Sequence, residues 1–213
     1  MVSLPTPNPR KTTSFRELGP VDIAELKQAV AAISDAQWGA ANASKPNKFD
    51  ALDKTEHIIF RFVSSLADWR QAYEGPLWSQ WRAKLEPVLA AAVAPYGYAN
   101  GVFPRVMLAR MAPGGVILPH QDAMPAAKWP HKVHVPLFTN EQVMFRCGDE
   151  YRHLKEGVAV EVNNMGVHAV KNEGDAPRTH LIFEYYDADQ PEPDWLEAVV
   201  AAAKTRQLQG QPS

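Results

Sequence analysis

The sequence predicts a mainly β protein with flanking α-helices, its two sheets facing each other as a sandwich or barrel. Two patterns and one bound predict this. From residue 102 onward, short β-branched runs alternate with turn signals. Before it, two segments carry apolar residues at helical spacing. A chain of 213 residues, 46% apolar and 22% charged, can bury a real core without staples. One domain is expected over 1–213, with an extended segment at 1–20 and helices and first strands over 21–100. The β core is expected over 101–187, and a helix and tail over 188–213.

Each element has its own signal. Residues 1 to 20 are punctuated by Pro5, Pro7 and Pro9 and read as extended. Ile23, Leu26, Val30 and Ile33 repeat at helical spacing. Asp22 is the candidate N-cap there, with Glu25 placed to complete a capping box. Residues 39 to 55, rich in Ala, Asn, Lys and Asp, read as loop, and His57 to Val63 as a strand. Pro76 suits a first helical turn. After it, Leu77, Trp81, Leu85, Leu89 and Val93 form an apolar stripe to about residue 94, which reads as core. The β core then has strands at 106–111, 116–119, 132–138, 142–146, 158–162, 167–171 and 178–186. Pro113-Gly114-Gly115, Cys147-Gly148-Asp149 and Asn172-Glu173-Gly174-Asp175 mark turns between them. A helix over about 194–204 is expected to pack outside, followed by a frayed polar tail. Two facing sheets form a shallow box, and an open end lets inward side chains build a site.

Composition narrows the function classes. With 22 basic and 24 acidic residues the formal charge is −2, so no basic excess points to nucleic acid. Cys147 stands alone, which excludes an internal disulfide and any multi-thiolate site; it reads as a small strand residue. No apolar run approaches the ~20 residues of a membrane-spanning helix. The N-terminus does not read as a signal peptide, and a cytoplasmic location is the expectation.

The chemistry lies in three features. Pro119-His120-Gln121-Asp122 places an imidazole and a carboxylate two residues apart, hence side by side on one face of a strand. His168 follows 46 residues after Asp122, in the strand-like run Gly166-Val167-His168-Ala169-Val170. Two histidines and one carboxylate can occupy one face of an octahedral iron and leave three positions open, the arrangement of non-haem Fe(II) oxygenases. Arg178 stands ten residues after His168. The turn at 172–177 would let it start the neighbouring antiparallel strand, close to His168. Its guanidinium suits the distal carboxylate of 2-oxoglutarate, which chelates iron through its keto acid end.

With these residues the chain resembles the aspartyl/asparaginyl β-hydroxylases and their bacterial relatives. The resemblance is carried by His120-Gln121-Asp122, Lys132-Val133-His134-Val135-Pro136-Leu137 and His168-Ala169-Val170-Lys171-Asn172 with Arg178. Phe15-Arg16-Glu17-Leu18-Gly19-Pro20-Val21-Asp22 and Thr55-Glu56-His57-Ile58-Ile59-Phe60-Arg61-Phe62 extend it over roughly 15–187. It implies a double-stranded β-helix core of jelly-roll, cupin-like form. It implies Fe(II) on His120, Asp122 and His168, with Arg178 and His134 binding 2-oxoglutarate. Lys132 stands where the family usually has arginine, so it keeps the charge but not the planar fork; strand alternation puts it on one face with His134. The implied reaction is O2-dependent hydroxylation of an unactivated C–H bond, with release of succinate and CO2. The implied substrate is a free amino acid, an amino-acid side chain in a peptide, or a related small molecule. Oligomeric state is not legible.

The remaining candidates read more plainly. His57, His131 and His153 read as structural or surface residues, and so does His180, with a place beside the co-substrate site as its alternative because it alternates with Arg178. Glu184 reads as a buried partner for a basic group. Trp69, Trp78, Trp81 and Trp195 read as core or rim, while Trp129 is placed to border the pocket. Two other classes fit part of the pattern. One is a cupin-like metalloenzyme that does not use 2-oxoglutarate; the other is a non-catalytic β-sandwich binding module.

Overall fold

The computed structural model describes residues 8–46 and 55–208. In chain order the elements are β1 (Phe15–Pro20), α1 (Ala24–Ala31), α2 (Asp35–Ala43), β2 (Thr55–Ser65), β3 (Asp68–Glu74), α3 (Trp78–Val93), β4 (Gly101–Val102), β5 (Val106–Met111) and β6 (Val116–His120). Then come α4 (Pro125–Lys128), β7 (His131–Phe138), β8 (Val143–Cys147), β9 (Glu150–Arg152), β10 (Val158–Val162), β11 (His168–Asn172), β12 (Arg178–Asp187) and α5 (Leu196–Leu208). The major sheet has the order β1-β10-β7-β12-β5-β2-β3, with β4 added on β12. The minor sheet is β6-β11-β8-β9. Both are antiparallel throughout, and together they form the two walls of a jelly roll.

Alternation along the strands of the major sheet makes two different interiors. On one face, Val133, Val135 and Leu137 of β7 and Leu181, Phe183 and Tyr185 of β12 join Leu85 and Leu89 of α3 in the main apolar core. On the other face, turned toward the minor sheet, the same strands present Lys132 and His134, and Arg178, His180, Ile182 and Glu184. A second apolar cluster between the sheets includes Met111, Ile117, Phe145, Val160 and Val170. Polar side chains on an inner face are expensive unless they do something there, so this face is where the site must be sought. A third cluster, in which Trp69 stacks on Trp129 at 5.9 Å, holds Leu196 and Val200 of α5 against the body.

The strands of the β core fall where the sequence places them, within a residue or two. The departures have physical causes. The first helix starts at Ala24 with Ile23 as its cap residue, and Asp22 instead accepts from the Ala24 amide in a local turn. Part of the expected loop is helix α2, started by a capping box between Ser34 and Gln37. Most of the rest, residues 47–54, lies outside the described residues, as does the tail beyond 208. β1, β3, β4 and β9 are additional, and the expected extended segment contributes β1 by pairing with β10. Finally, β11 and β12 are not neighbours. β11 pairs with β6 and β8, and β12 with β4, β5 and β7. The turn at 173–177 crosses from one sheet to the other, so Arg178 faces the sheet of His168 across the interior. Among the described residues, no helix is long and apolar enough to cross a membrane.

Candidate active site

His120 ends β6 and His168 opens β11, and the two are direct partners in that strand pairing. Their rings lie 4.2 Å apart between centroids. Nδ1 of His120 is 2.9 Å from the Leu118 carbonyl oxygen, and Nδ1 of His168 is 3.0 Å from that of Gly166. A carbonyl only accepts, so each Nδ1 carries the proton and each Nε2 keeps a free lone pair. Asp122 lies just beyond the end of β6, so the H-x-D pair is not a continuous strand. Its amide donates to the Asn164 carbonyl at 2.9 Å, and this brings Oδ1 to 3.9 Å from Nε2 of His120. One ligand atom from each of the three residues lies within 4.8 Å of the others, a group able to hold a metal ion.

The second carboxylate oxygen of Asp122 is already committed. Oδ2 accepts from Lys132 Nζ at 2.6 Å and from Asn164 Nδ2 at 3.2 Å. Burial alone would raise the pKa of this carboxyl, but the Lys132 ammonium and its hydrogen bonds hold it well below the usual range. Burial first, then Lys132, lowers His168 to about 4. At neutral pH His168 is therefore a neutral imidazole and Asp122 a carboxylate, the states that metal ligation requires. That donor set suits a divalent non-haem iron with open positions.

Arg178 is 1% exposed, and its Nε and Nη1 have no hydrogen-bond partner among the described residues. Its guanidinium lies 5.4 Å from the Phe145 ring centroid. Burial lowers its pKa to about 10, so it stays charged at neutral pH. A buried guanidinium without an anion costs several kcal/mol, and a carboxylate end would satisfy it. His134 is also buried, with Nδ1 3.4 Å from Nδ1 of His180, and both rings pack on Phe145. Burial holds both imidazoles well below their usual pKa.

A cavity of about 280 Å³ opens beside the cluster. His120, Gln121, Asp122 and Lys132 border one side, and Phe62, Met107 and Ile182 form apolar walls. Arg178 and His134 stand outside its lining. So does Trp129, which is buried in the tryptophan cluster; Ala123, Met124 and Ala127 take the bordering place given to it by sequence. Glu184 is a buried partner of Arg105, as its position suggested. His57, read as structural, lines the cavity. His131 is structural: its Nδ1 lies 2.8 Å from Glu161 and its Nε2 2.8 Å from the Tyr98 hydroxyl. Sequence reasoning missed Asn164 and Arg105. Neither belongs to a motif; the turn-forming composition of Asn163-Asn164-Met165-Gly166, which was not read as a signal, is what could have marked the loop that braces Asp122.

Solved structures share this architecture. The chain is similar to AviO1 from Streptomyces viridochromogenes (14% identity, 84% of this chain and 92% of that one, TM-score 0.53). It is also similar to an oxidoreductase of the 2OG-Fe(II) oxygenase family from Burkholderia pseudomallei (14% identity, 77% and 89%, TM-score 0.50). A third is SnoN, a non-haem α-ketoglutarate-dependent epimerase from nogalamycin biosynthesis (14% identity, 83% and 78%, TM-score 0.52). At such identities the likeness establishes the fold. No curated protein gives a significant match. The model of the aspartyl/asparaginyl β-hydroxylase family matches residues 26–188, which include every strand of the jelly roll after β1, the His-Asp-His cluster and Arg178. The chain therefore belongs to the aspartyl/asparaginyl β-hydroxylase family, and is a non-haem iron dioxygenase that uses Fe(II) and 2-oxoglutarate.

Proposed function

We propose that His120, Asp122 and His168 hold the Fe(II), and that Arg178 with His134 binds 2-oxoglutarate. The chain then hydroxylates an unactivated C–H bond of a small molecule, an amino acid or an amino-acid side chain, releasing succinate and CO2. The observation that carries this reading is the shared orientation of two imidazoles, Nδ1 tied to carbonyls, beside a carboxylate with one free oxygen. Iron and 2-oxoglutarate together supply the oxidising chemistry when bound. The chain supplies position. Lys132 and Asn164 fix the rotation of the Asp122 carboxylate. Arg178 offers the distal carboxylate a buried cation whose Nε and Nη1 have no partner among the described residues. The apolar walls from Phe62, Met107 and Ile182 keep the reacting centre poor in water.

The test is succinate formation from 2-oxoglutarate by protein purified without oxygen and reconstituted with Fe(II). Iron-dependent succinate, abolished by a chelator and reduced in Arg178→Ala, is the expected result. Absence of succinate together with no binding of Fe(II) or 2-oxoglutarate by calorimetry would overturn the reading.

A further inference from the structure

The cavity carries a second charged pair that neither iron nor 2-oxoglutarate uses. Arg105 precedes β5, Glu184 lies on β12, and both are nearly buried and line the cavity. Both Glu184 oxygens converge on one nitrogen, Nη1 of Arg105, at 2.7 and 2.8 Å. The other edge of the guanidinium, formed by Nε and Nη2, is left clear of Glu184. Nε is buried and has no hydrogen-bond partner among the described residues. That edge is one that can grip a carboxylate through two parallel hydrogen bonds. Phe62 lies under the guanidinium at 5.1 Å, and the Arg105 carbonyl accepts from the Glu184 amide at 2.9 Å, so the fork is held in place.

The position of this fork sets what it can read. Glu184 sits directly opposite Lys132 in the β12–β7 pairing, and Lys132 contacts Asp122 at 2.6 Å. Arg105 is thus two strand spacings from Lys132, roughly 10 Å. Phe62, Met107, Met124 and Ile182 line the space between with apolar surface. Arg178 lies six residues from Glu184 on the same face of β12, roughly 20 Å along the strand. A carboxylate at Arg105 and the distal carboxylate of 2-oxoglutarate at Arg178 would not compete.

We propose that Arg105 binds the carboxylate of the primary substrate, a small molecule with an apolar body, and that Glu184 orients the guanidinium. The proposal rests on the reading of His120, Asp122 and His168 as the centre of oxidation. The shared chemistry is a carboxylate; an α-amino acid and a simple aliphatic acid both carry it. In the amino acid, Glu184 faces the ammonium.

The experiment uses wild-type protein loaded anaerobically with Fe(II) and 2-oxoglutarate. It is titrated with apolar L-α-amino acids and short aliphatic carboxylates, each beside its neutral amide, and succinate formation is then measured in air. Acids should bind and stimulate about 10- to 100-fold better than their amides, the worth of charge-assisted hydrogen bonds. Amino acids outperforming simple acids would identify the first source, and equal performance the second. Arg105→Gln, and Arg105→Gln with Glu184→Gln, should lose the preference for acid over amide; melting curves check that each variant folds. Amides as effective as acids would overturn the proposal. So would a panel in which no acid acts although the protein binds iron and forms succinate. Failure to bind iron and 2-oxoglutarate at all would instead remove the reading on which the proposal rests.

Discussion

Arg178 occupies a position that an anionic ligand would stabilise. Its guanidinium is buried and charged, with two nitrogens unpartnered among the described residues. A nonpolar residue of similar length should relieve that cost. Arg178→Met is expected to raise the melting temperature of the ligand-free protein by about 2–4 °C per kcal/mol recovered. The same variant should lose the stabilisation that 2-oxoglutarate gives the iron-loaded wild type. A melting temperature lowered by the substitution, with the 2-oxoglutarate response intact, would count against the assignment. Asn164 is the complementary case. It holds both the backbone and one carboxylate oxygen of Asp122. Asn164→Ala should weaken Fe(II) binding about 10- to 100-fold, read by anaerobic titration, and an unchanged affinity would sink that role. The grouping of His120, Asp122 and His168 was legible in the sequence from their order and spacing together with the family resemblance. Asn164 and Arg105 were not, because their roles arise from residues on other strands.

At the level of elements, what was legible followed periodicity. The long stripe of α3 and the β-branched strands β5, β7, β10 and β12 stand where alternation or helical spacing places them. α2 was hidden because its sequence, with Gly39 and few apolar residues, offers a weak face; only Trp38 is buried. Its start depends on local chemistry, since the Ser34 hydroxyl accepts from the Gln37 amide while the Gln37 side chain accepts from the Ser34 amide. Ser34→Ala should therefore cost about 1 kcal/mol. Thermal denaturation should show this as a fall of about 2–4 °C, and no fall would mean the cap is not holding the helix. β1 and β9 escaped notice as edge strands, β4 because it has only two residues, and β3 because polar and charged residues interrupt it. The alternate-sheet placement of β11 and β12 was not legible either. A turn signal shows that the chain reverses, not which sheet receives it.

Across the whole molecule, the inner face stores neutral histidines. Burial, followed by neighbouring positive charge, lowers His57 to about 3 and holds His134 and His180 well below their usual value. In the unfolded chain each imidazole binds a proton near pH 6.5, while the folded protein keeps it neutral. The unfolded state thus holds more protons below pH 6.5, and stability falls as pH falls through that range. His57 should contribute up to about 2 kcal/mol of loss between pH 6.5 and 5, and His134 and His180 act in the same direction. Melting temperatures of metal-free protein recorded across that range should decline steeply, and a flat profile would contradict the burial of these groups as neutral species. The proposal that matters most is one iron held at a single end of the β6–β11 pairing, on the directly paired His120 and His168 with Asp122 just beyond β6. Anaerobic titration of Fe(II) into wild type and His168→Ala, followed by 2-oxoglutarate calorimetry, tests it most directly. The account predicts one iron per wild-type chain, 2-oxoglutarate binding that depends on it, and loss of both in the variant. An unchanged iron stoichiometry in His168→Ala would contradict it.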